Sequence, residues 1–248
     1  MFDNGPMPRL FYDVQSISAI ISLSLITGLI SISVLLDTLL FKKEYRTMEI
    51  NLMELESRHA HDLLTSSIIP RPIAWVSSIN KDGQTNLAPF SFFTGVSWSP
   101  PILAFSVVNR SDGTIKDTVI NIKEIPEFVV HIVSVDHLSI MEFSAKSLPY
   151  GSDEHSIKGI HWLPAKKIKP YRIEEAKVSF ECILERIVTV SEGPDAGNLI
   201  LGRIQLVHVR DDLLKDGREV EWLALDVLGR LSGNRYCAVR SVIESETN

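Results

Sequence analysis

Small and polar residues interrupt a series of apolar, strand-like segments between Ser66 and Asn121, at positions where a packed core would favour aliphatic side chains. Ala88-Pro89 breaks a strand ladder and leaves backbone groups free, while Arg110 and Lys116 bring positive charge into an acidic chain. The set suits a phosphate, with hydroxyls and helix-start amides as further donors. We predict a binding cleft built from Asn86–Phe93, Ser97–Pro101, Ser106, Asn109–Arg110 and Lys116–Thr118.

Each of these residues also has a purely structural explanation. Large rings are by default buried in a core or an interface; here they are Phe90, Phe92, Phe93 and Trp98. Arg110 alone is an ordinary loop residue, and Lys116 with Asp117 could form a surface ion pair worth less than about 1 kcal/mol. For each residue taken singly, the structural explanation is favoured. The prediction of a site therefore depends on the combination of these residues.

Other chemistry-bearing patterns are absent or weak in this sequence. It contains no glycine-rich dinucleotide fingerprint, Walker A loop, nucleophile elbow or paired-histidine zinc helix. His59 and His61 have a metal-like spacing without a third ligand nearby, and His155 with His161 could flank a site but fits a polar loop better. We therefore predict no metal site and no catalytic side-chain set.

Composition excludes several functional classes. The chain has 248 residues, of which 25 are lysine or arginine and 31 are acidic, so its formal charge is −6 and general nucleic-acid binding is disfavoured. Cys182 and Cys237 are too few for a disulfide framework and lack metal-knuckle spacing, which favours a reducing compartment.

The first 46 residues differ from the rest. No charged residue lies between Val14 and Leu36, and this apolar stretch is about the length of a membrane-spanning helix. We predict a hydrophobic N-terminal helix. If this helix is a membrane anchor, residues 14–41 are the only segment that enters the membrane. Because Lys42, Lys43 and Arg46 follow the apolar stretch, the remainder would lie in the cytoplasm, either free or anchored.

Three interpretations of this segment remain open: a membrane anchor, a helix that packs on a partner, or a leader that the functional protein lacks. Met48 begins a plausible start directly before the globular region. The sequence thus divides into residues 1–46 and a domain of residues 47–248.

Most of that domain has the residue pattern of β-strands. After a helical pattern around Leu52 to Leu64, β-branched and aromatic residues predict strands, with a hairpin turn at Asn80–Gly83 and a second turn at Glu192–Asn198. The predicted strands are Pro70–Ile79, Ile102–Val108, Glu127–Val133, Lys177–Leu184 and Asn198–Val209.

Few helices accompany these strands. One is predicted from Ile115 to Ile125, and a second would be capped by Asp136 and end near Ala145. The charged stretch Asp211–Glu221 is predicted to be a solvated loop. This order favours an antiparallel barrel with helices packed outside it, and disfavours a doubly wound parallel sheet.

The order of the motifs resembles one family. Pro70-Arg-Pro-Ile-Ala-Trp-Val-Ser-Ser, the turn at Asp82-Gly83, Asn86-Leu-Ala-Pro-Phe-Ser-Phe-Phe, Pro100-Pro101, Lys116-Asp-Thr and Asn121 resemble the flavin reductase-like FMN-binding split barrels. The likeness extends to Gly229–Tyr236, where Ser232 replaces a glycine usual in the family, and covers Leu52 to Val239.

This resemblance implies a mainly β fold, an antiparallel six-stranded Greek-key split β-barrel with a few peripheral helices, that forms a homodimer with FMN near the subunit interface. It implies that Asn86, Ala88, Pro89 and Ser91 line the flavin and ribityl chain, that Ser106 lies close by, and that Arg110, Lys116 and Thr118 hold the phosphate. Arg71 and Trp75 would contact the ligand or order the barrel mouth, and Asp117 would orient Lys116.

Chemistry on a flavin needs no general base from the protein, which agrees with the missing catalytic set. The resemblance implies an oxidoreductase of flavin reductase type that passes hydride from NAD(P)H to flavin and onward to free flavin, oxygen or a partner oxygenase. A non-catalytic FMN-binding electron carrier or flavin-holding module, and a membrane-tethered scaffold that has lost the ligand, remain alternatives.

Overall fold

A computed structural model describes residues 47–146 and 148–245. The chain divides into two units, residues 1–51 and 52–248. Of the first unit only residues 47–51 are described, and they form neither helix nor strand. The predicted N-terminal hydrophobic helix lies outside the described residues. Within those residues, no helix combines the length and the apolar character needed to cross a bilayer.

The rest of the described chain is mainly β, as predicted. The strands are β1 (Arg71–Pro72), β2 (Ala74–Ile79), β3 (Thr85–Phe90), β4 (Phe93–Trp98), β5 (Pro101–Val108), β6 (Glu127–Ile132), β7 (Trp162–Leu163), β8 (Arg172–Ile173), β9 (Val178–Thr189), β10 (Gly197–Val209), β11 (Leu214–Lys215), β12 (Glu219–Val220), β13 (Leu228–Arg230) and β14 (Tyr236–Ala238). The helices are α1 (Ser57–Ser67), α2 (Asp117–Glu124), α3 (Leu138–Ser144) and α4 (Trp222–Leu225), with 3₁₀ turns at Leu52–Glu54, Val135–His137, Glu154–Ser156 and Asp211–Leu213.

The main sheet has seven strands in the order β3-β2-β6-β9-β10-β5-β4, and all its neighbouring strands are antiparallel. Strands β3 and β4 are at opposite edges of this order, yet only Ser91 and Phe92 connect them. Two residues cannot span a flat seven-stranded sheet, because adjacent strands lie about 4.8 Å apart. The sheet is therefore rolled into an open barrel, and its two edges meet at this connection.

The barrel has one strand more than the six expected. The extra strand is β4, which includes Phe93, Ser97 and Trp98 of the predicted cleft and pairs with β5 as a hairpin. A second, three-stranded sheet, β1-β13-β14, joins the start of the domain to its C-terminal part.

Two apolar clusters form the core, one on each face of β2. Ala74 and Val76 face the first cluster, where Phe105 is fully buried, with its ring centroid 5.5 Å from those of Phe90 and Phe128. Trp75 faces the second cluster. Because both faces are covered, every residue of β2 is buried, although a half-buried strand would alternate.

Two local predictions were wrong. Asp136 lies inside the 3₁₀ turn that Ser134 precedes, and it does not cap the following helix. The stretch Asp211–Glu221 is not a plain solvated loop, because it forms a 3₁₀ turn and the β11–β12 hairpin, with Leu213 fully buried. One buried leucine is enough to fix a charged segment against the core.

Candidate functional site

Two cavities lie beside the barrel edge where β3 passes into β4. The large cavity has a volume of about 430 Å³ and the small cavity one of about 170 Å³. All eight predicted residues line one or both of them. Pro89 and Lys116 line both, Ser91 and Ser106 line the large cavity, and Asn86, Ala88, Arg110 and Thr118 line the small cavity.

Three elements bring these residues together. Strand β3 carries Asn86, Ala88 and Pro89, β5 carries Ser106, and the start of α2 supplies Lys116 and Thr118. As the edge strand, β3 pairs with β2 on one side only, so Pro89 can lie there without removing a ladder hydrogen bond. On the other side of the strand, side chains of Asp153 and Glu154 accept the Thr85 and Leu87 amides, which leaves the stretch at Ala88-Pro89 to contact a ligand.

Lys116 is the N-cap residue of α2, and its side chain is half-buried where the two cavities meet. Its ammonium lies 5.9 Å from the centre of the Phe90 ring. Burial, and then the nearby Arg110 charge, lower the Lys116 pKa from its ordinary value. Within the described residues Lys116 forms no ion pair, so the alternative explanation of a surface pair with Asp117 does not hold. A half-buried, unpaired cation of this kind favours an anionic ligand.

Arg110 fixes the loop before α2. It donates to the Ile115 carbonyl at 2.7 Å and to the Asp117 carboxylate at 2.6 Å. The expectation that Asp117 orients Lys116 is therefore wrong, since adjacent residues at a helix start point in different directions. Because Asp117 offsets the Arg110 charge, the free positive charge at this end comes from Lys116 and from Lys146, which also lines the small cavity and forms no ion pair among the described residues.

Asn86 links the barrel to the helix. Its amide donates to the Thr118 hydroxyl oxygen at 2.9 Å, and both side chains are buried. The Thr118 hydroxyl hydrogen remains available to a ligand. The hydrogen bond also holds the first turn of α2 against the small cavity, where the Asp117 and Thr118 amides have no partner within the helix.

Sequence analysis missed Glu154, a buried carboxyl that lines the small cavity and accepts the Leu87 amide at 2.6 Å. Burial, followed by repulsion from Asp117 and Asp153, raises the Glu154 pKa to about 7. It lies in a glycine- and serine-rich stretch that looks solvated in the sequence, so no local pattern identified it.

Arg71 and Trp75, which the resemblance places either at the ligand or at the barrel mouth, have different positions. Arg71 lines the large cavity and is 5% exposed, and it donates to the Ser91 hydroxyl at 3.3 Å. Trp75 lines neither cavity. It is 1% exposed, and its ring nitrogen donates to the Ser144 hydroxyl at 2.9 Å. Trp75 therefore belongs to the core.

In residues 47–146 and 148–245 no group of three or more His, Cys, Asp or Glu side chains is arranged to hold a metal ion. His61 lines the large cavity beside Asp62, its hydrogen-bond partner. His155 stacks on Trp162, and His161 contacts Glu175, so neither lies at the cavities.

Comparisons with known proteins agree with the fold of this chain. A family model described as "Flavin reductase like domain" matches residues 65–224. An uncharacterized protein of Aquifex aeolicus is 39% identical over 76% of this chain and 94% of its own length.

Two solved structures are also similar. Nitrilotriacetate monooxygenase component B from Bacillus cereus is 33% identical with a TM-score of 0.77, covering 82% of this chain and 100% of that one. The 2-nitrobenzoate 2-nitroreductase of Pseudomonas fluorescens is 28% identical with a TM-score of 0.70, covering 81% and 98%.

Proposed function

The chain belongs to the flavin reductase-like domain family, and we propose that it is an FMN-binding oxidoreductase of flavin reductase type. In this proposal NAD(P)H donates hydride to the flavin, and the electrons pass to free flavin, oxygen or a partner oxygenase.

The unpaired ammonium of Lys116 between the two cavities carries the proposal. FMN joins a planar ring to a phosphate through a ribityl chain, so its site needs an apolar, roomy part and a cationic, narrow part. The side of the large cavity lined by Phe90 and Phe92 provides the first, and the small cavity, with Arg110 and Lys116, provides the second.

The residues present fit each portion of FMN. Lys116 and Thr118, with the remaining N–H groups of Arg110, would hold the phosphate. The free edge at Ala88-Pro89 and the hydroxyls of Ser91 and Ser106 would lie along the ribityl chain and ring. A bound flavin supplies hydride acceptance at its own ring, so these residues need only bind it, orient it and exclude water.

We also propose a homodimer formed through β4. This strand is an edge of the main sheet and mostly exposed, with Trp98 93% and Val96 51% exposed. An exposed apolar edge strand is a template for pairing with another chain. A dimer mass by analytical ultracentrifugation, reduced to a monomer mass by Trp98→Glu, is the expected result. A monomer at micromolar concentration for the unchanged protein would contradict it.

NAD(P)H oxidation tests the catalytic part of the proposal. We expect saturable absorbance loss at 340 nm that depends on added FMN and is abolished without flavin. A yellow protein that dithionite reduces but NAD(P)H does not would instead support the electron-carrier alternative, which the missing dinucleotide fingerprint keeps open. A protein that takes up no flavin would refute both.

A further inference from the structure

A row of three side chains crosses the small β1-β13-β14 sheet. Arg71 of β1 is the direct partner of Arg230 in β13, which in turn is the partner of Tyr236 in β14. All three line the large cavity. None of them was among the eight residues predicted for the site.

The two arginines are in an unfavourable arrangement. Like charges directly opposite each other on neighbouring strands destabilise a sheet. Arg71 is 5% exposed, and burial followed by repulsion from Arg230 lowers its pKa from the ordinary value. A nearly buried guanidinium facing a second one needs a compensating negative charge.

The described part of the chain does not supply that charge as an ion pair, since neither arginine has a carboxylate partner within it. Two acidic side chains are nearby. Asp62 lines the same cavity but contacts His61, and Glu142 interacts with Tyr236.

Neutral groups nevertheless fix both guanidinium groups in place. Arg71 donates to the carbonyls of Ile68 at 3.0 Å and Leu231 at 2.9 Å, and also to that of Thr65. Arg230 donates to the Tyr236 hydroxyl and lies 4.5 Å from the centre of its ring. These contacts orient the two side chains without cancelling their charge, so the cationic site is formed before any ligand binds.

We propose that Arg71 and Arg230 form a second oxyanion site, which binds the carboxylate or phosphate of the molecule that exchanges electrons with the flavin. This ligand assignment rests on the proposed function; the anion site itself does not. Arg71 and Arg230 line only the large cavity and Arg110 and Thr118 only the small one, while Lys116 lies at their junction, so the arginine pair is distinct from the proposed phosphate site. Guanidinium groups match the paired oxygens of carboxylates and phosphates.

The surroundings of the row define the substrate further. Ile73, Phe92 and Met141 line the same cavity beside the two arginines. An apolar wall next to an anion site suits a molecule with a flat or apolar body and one acidic group. The predicted class is thus an organic acid or a phosphate ester, rather than a neutral or cationic molecule.

Calorimetric titration of the FMN-loaded full-length protein with sodium benzoate and with inorganic pyrophosphate, in phosphate-free buffer, tests this proposal. We expect saturable binding of at least one probe, and the tighter one identifies a carboxylate or a phosphate source. Arg230→Gln should weaken that binding by about 10-fold or more, because charge-assisted hydrogen bonds contribute about 1.5 to 3 kcal/mol. FMN affinity should stay within about threefold.

Arg203→Gln is the matched control, since Arg203 pairs with Glu185 on the β9–β10 hairpin and lines neither cavity. It should bind the probe as the unchanged protein does. If Arg230→Gln does not fold, Arg230→Lys is the substitute variant. It keeps the positive charge but loses the paired N–H donors of the guanidinium, and should weaken benzoate or pyrophosphate binding at least threefold.

Three results would overturn the proposal: no binding of either probe, unchanged binding by the Arg230 variant, or loss of FMN together with the probe, which would assign the row to the flavin itself. If the unchanged protein takes up no FMN, the proposed function fails. The same titration of the unloaded protein then still tests the arginine pair by itself.

Discussion

Replacing Lys116 by methionine removes the charge that we assign to the FMN phosphate while keeping a long, apolar side chain. The Lys116 ammonium is half-buried and has no ion-pair partner in residues 47–146 and 148–245. Its loss therefore leaves no buried carboxylate without a partner, and the barrel should fold normally.

The magnitude follows from the type of bond. A charge-assisted hydrogen bond to phosphate contributes about 1.5 to 3 kcal/mol. The Kd for FMN should accordingly rise by roughly 10- to 150-fold. Because Asp117 already compensates Arg110, that arginine should not replace the missing ammonium.

Quenching of flavin fluorescence gives the Kd for FMN and for riboflavin, which lacks the phosphate. Lys116→Met should weaken FMN binding and leave riboflavin binding unchanged. Lys123→Met, an exposed change on the same helix, is the control and should alter neither. Equal losses for both flavins, or no loss for FMN, would refute the assignment of Lys116 to the phosphate.

Three further predictions concern stability and pH, each measured by urea unfolding. Phe105→Ala should lower the free energy of unfolding by about 3 to 5 kcal/mol, because its fully buried ring contacts Phe90 and Phe128; a loss below about 1 kcal/mol would contradict this packing. Gly202→Ala should lower it by about 1 to 3 kcal/mol, since an added Cβ would clash with the Phe128 ring; unchanged stability would disprove the clash. The Glu154 pKa is raised to about 7, so the stability that its neutral form contributes is complete below about pH 4.5 and is lost as the pH rises through 7. Glu154→Gln should hence be more stable than the unchanged protein by about 2 to 3 kcal/mol at pH 8 but not at pH 4, and equal stability at both would contradict the raised pKa.

The strands and the site residues could be predicted from the sequence because both leave local signals. β-branched and aromatic residues bounded by turn residues predicted β5, β6, β9 and β10. The eight site residues lie close together along the chain, from Asn86 to Thr118, and the order of their motifs resembles the flavin reductase-like family, which is what grouped them.

The missed features depend on contacts between distant parts of the chain. Arg230 is 159 positions from Arg71 in the sequence, and only the pairing of β1 with β13 places them side by side. Glu154 is buried because the 3₁₀ turn at Glu154–Ser156 packs on β3, which its own sequence does not reveal. The prediction that Asp117 orients Lys116 was likewise wrong, since Arg110 of the preceding loop binds the Asp117 carboxylate.

A crystal structure of the protein with FMN bound tests the central claim most directly. The phosphate should lie within hydrogen-bonding distance of the Lys116 ammonium and the start of α2, with the ring in the large cavity. A phosphate held by Arg71 and Arg230, or a flavin bound outside both cavities, would contradict the assignment.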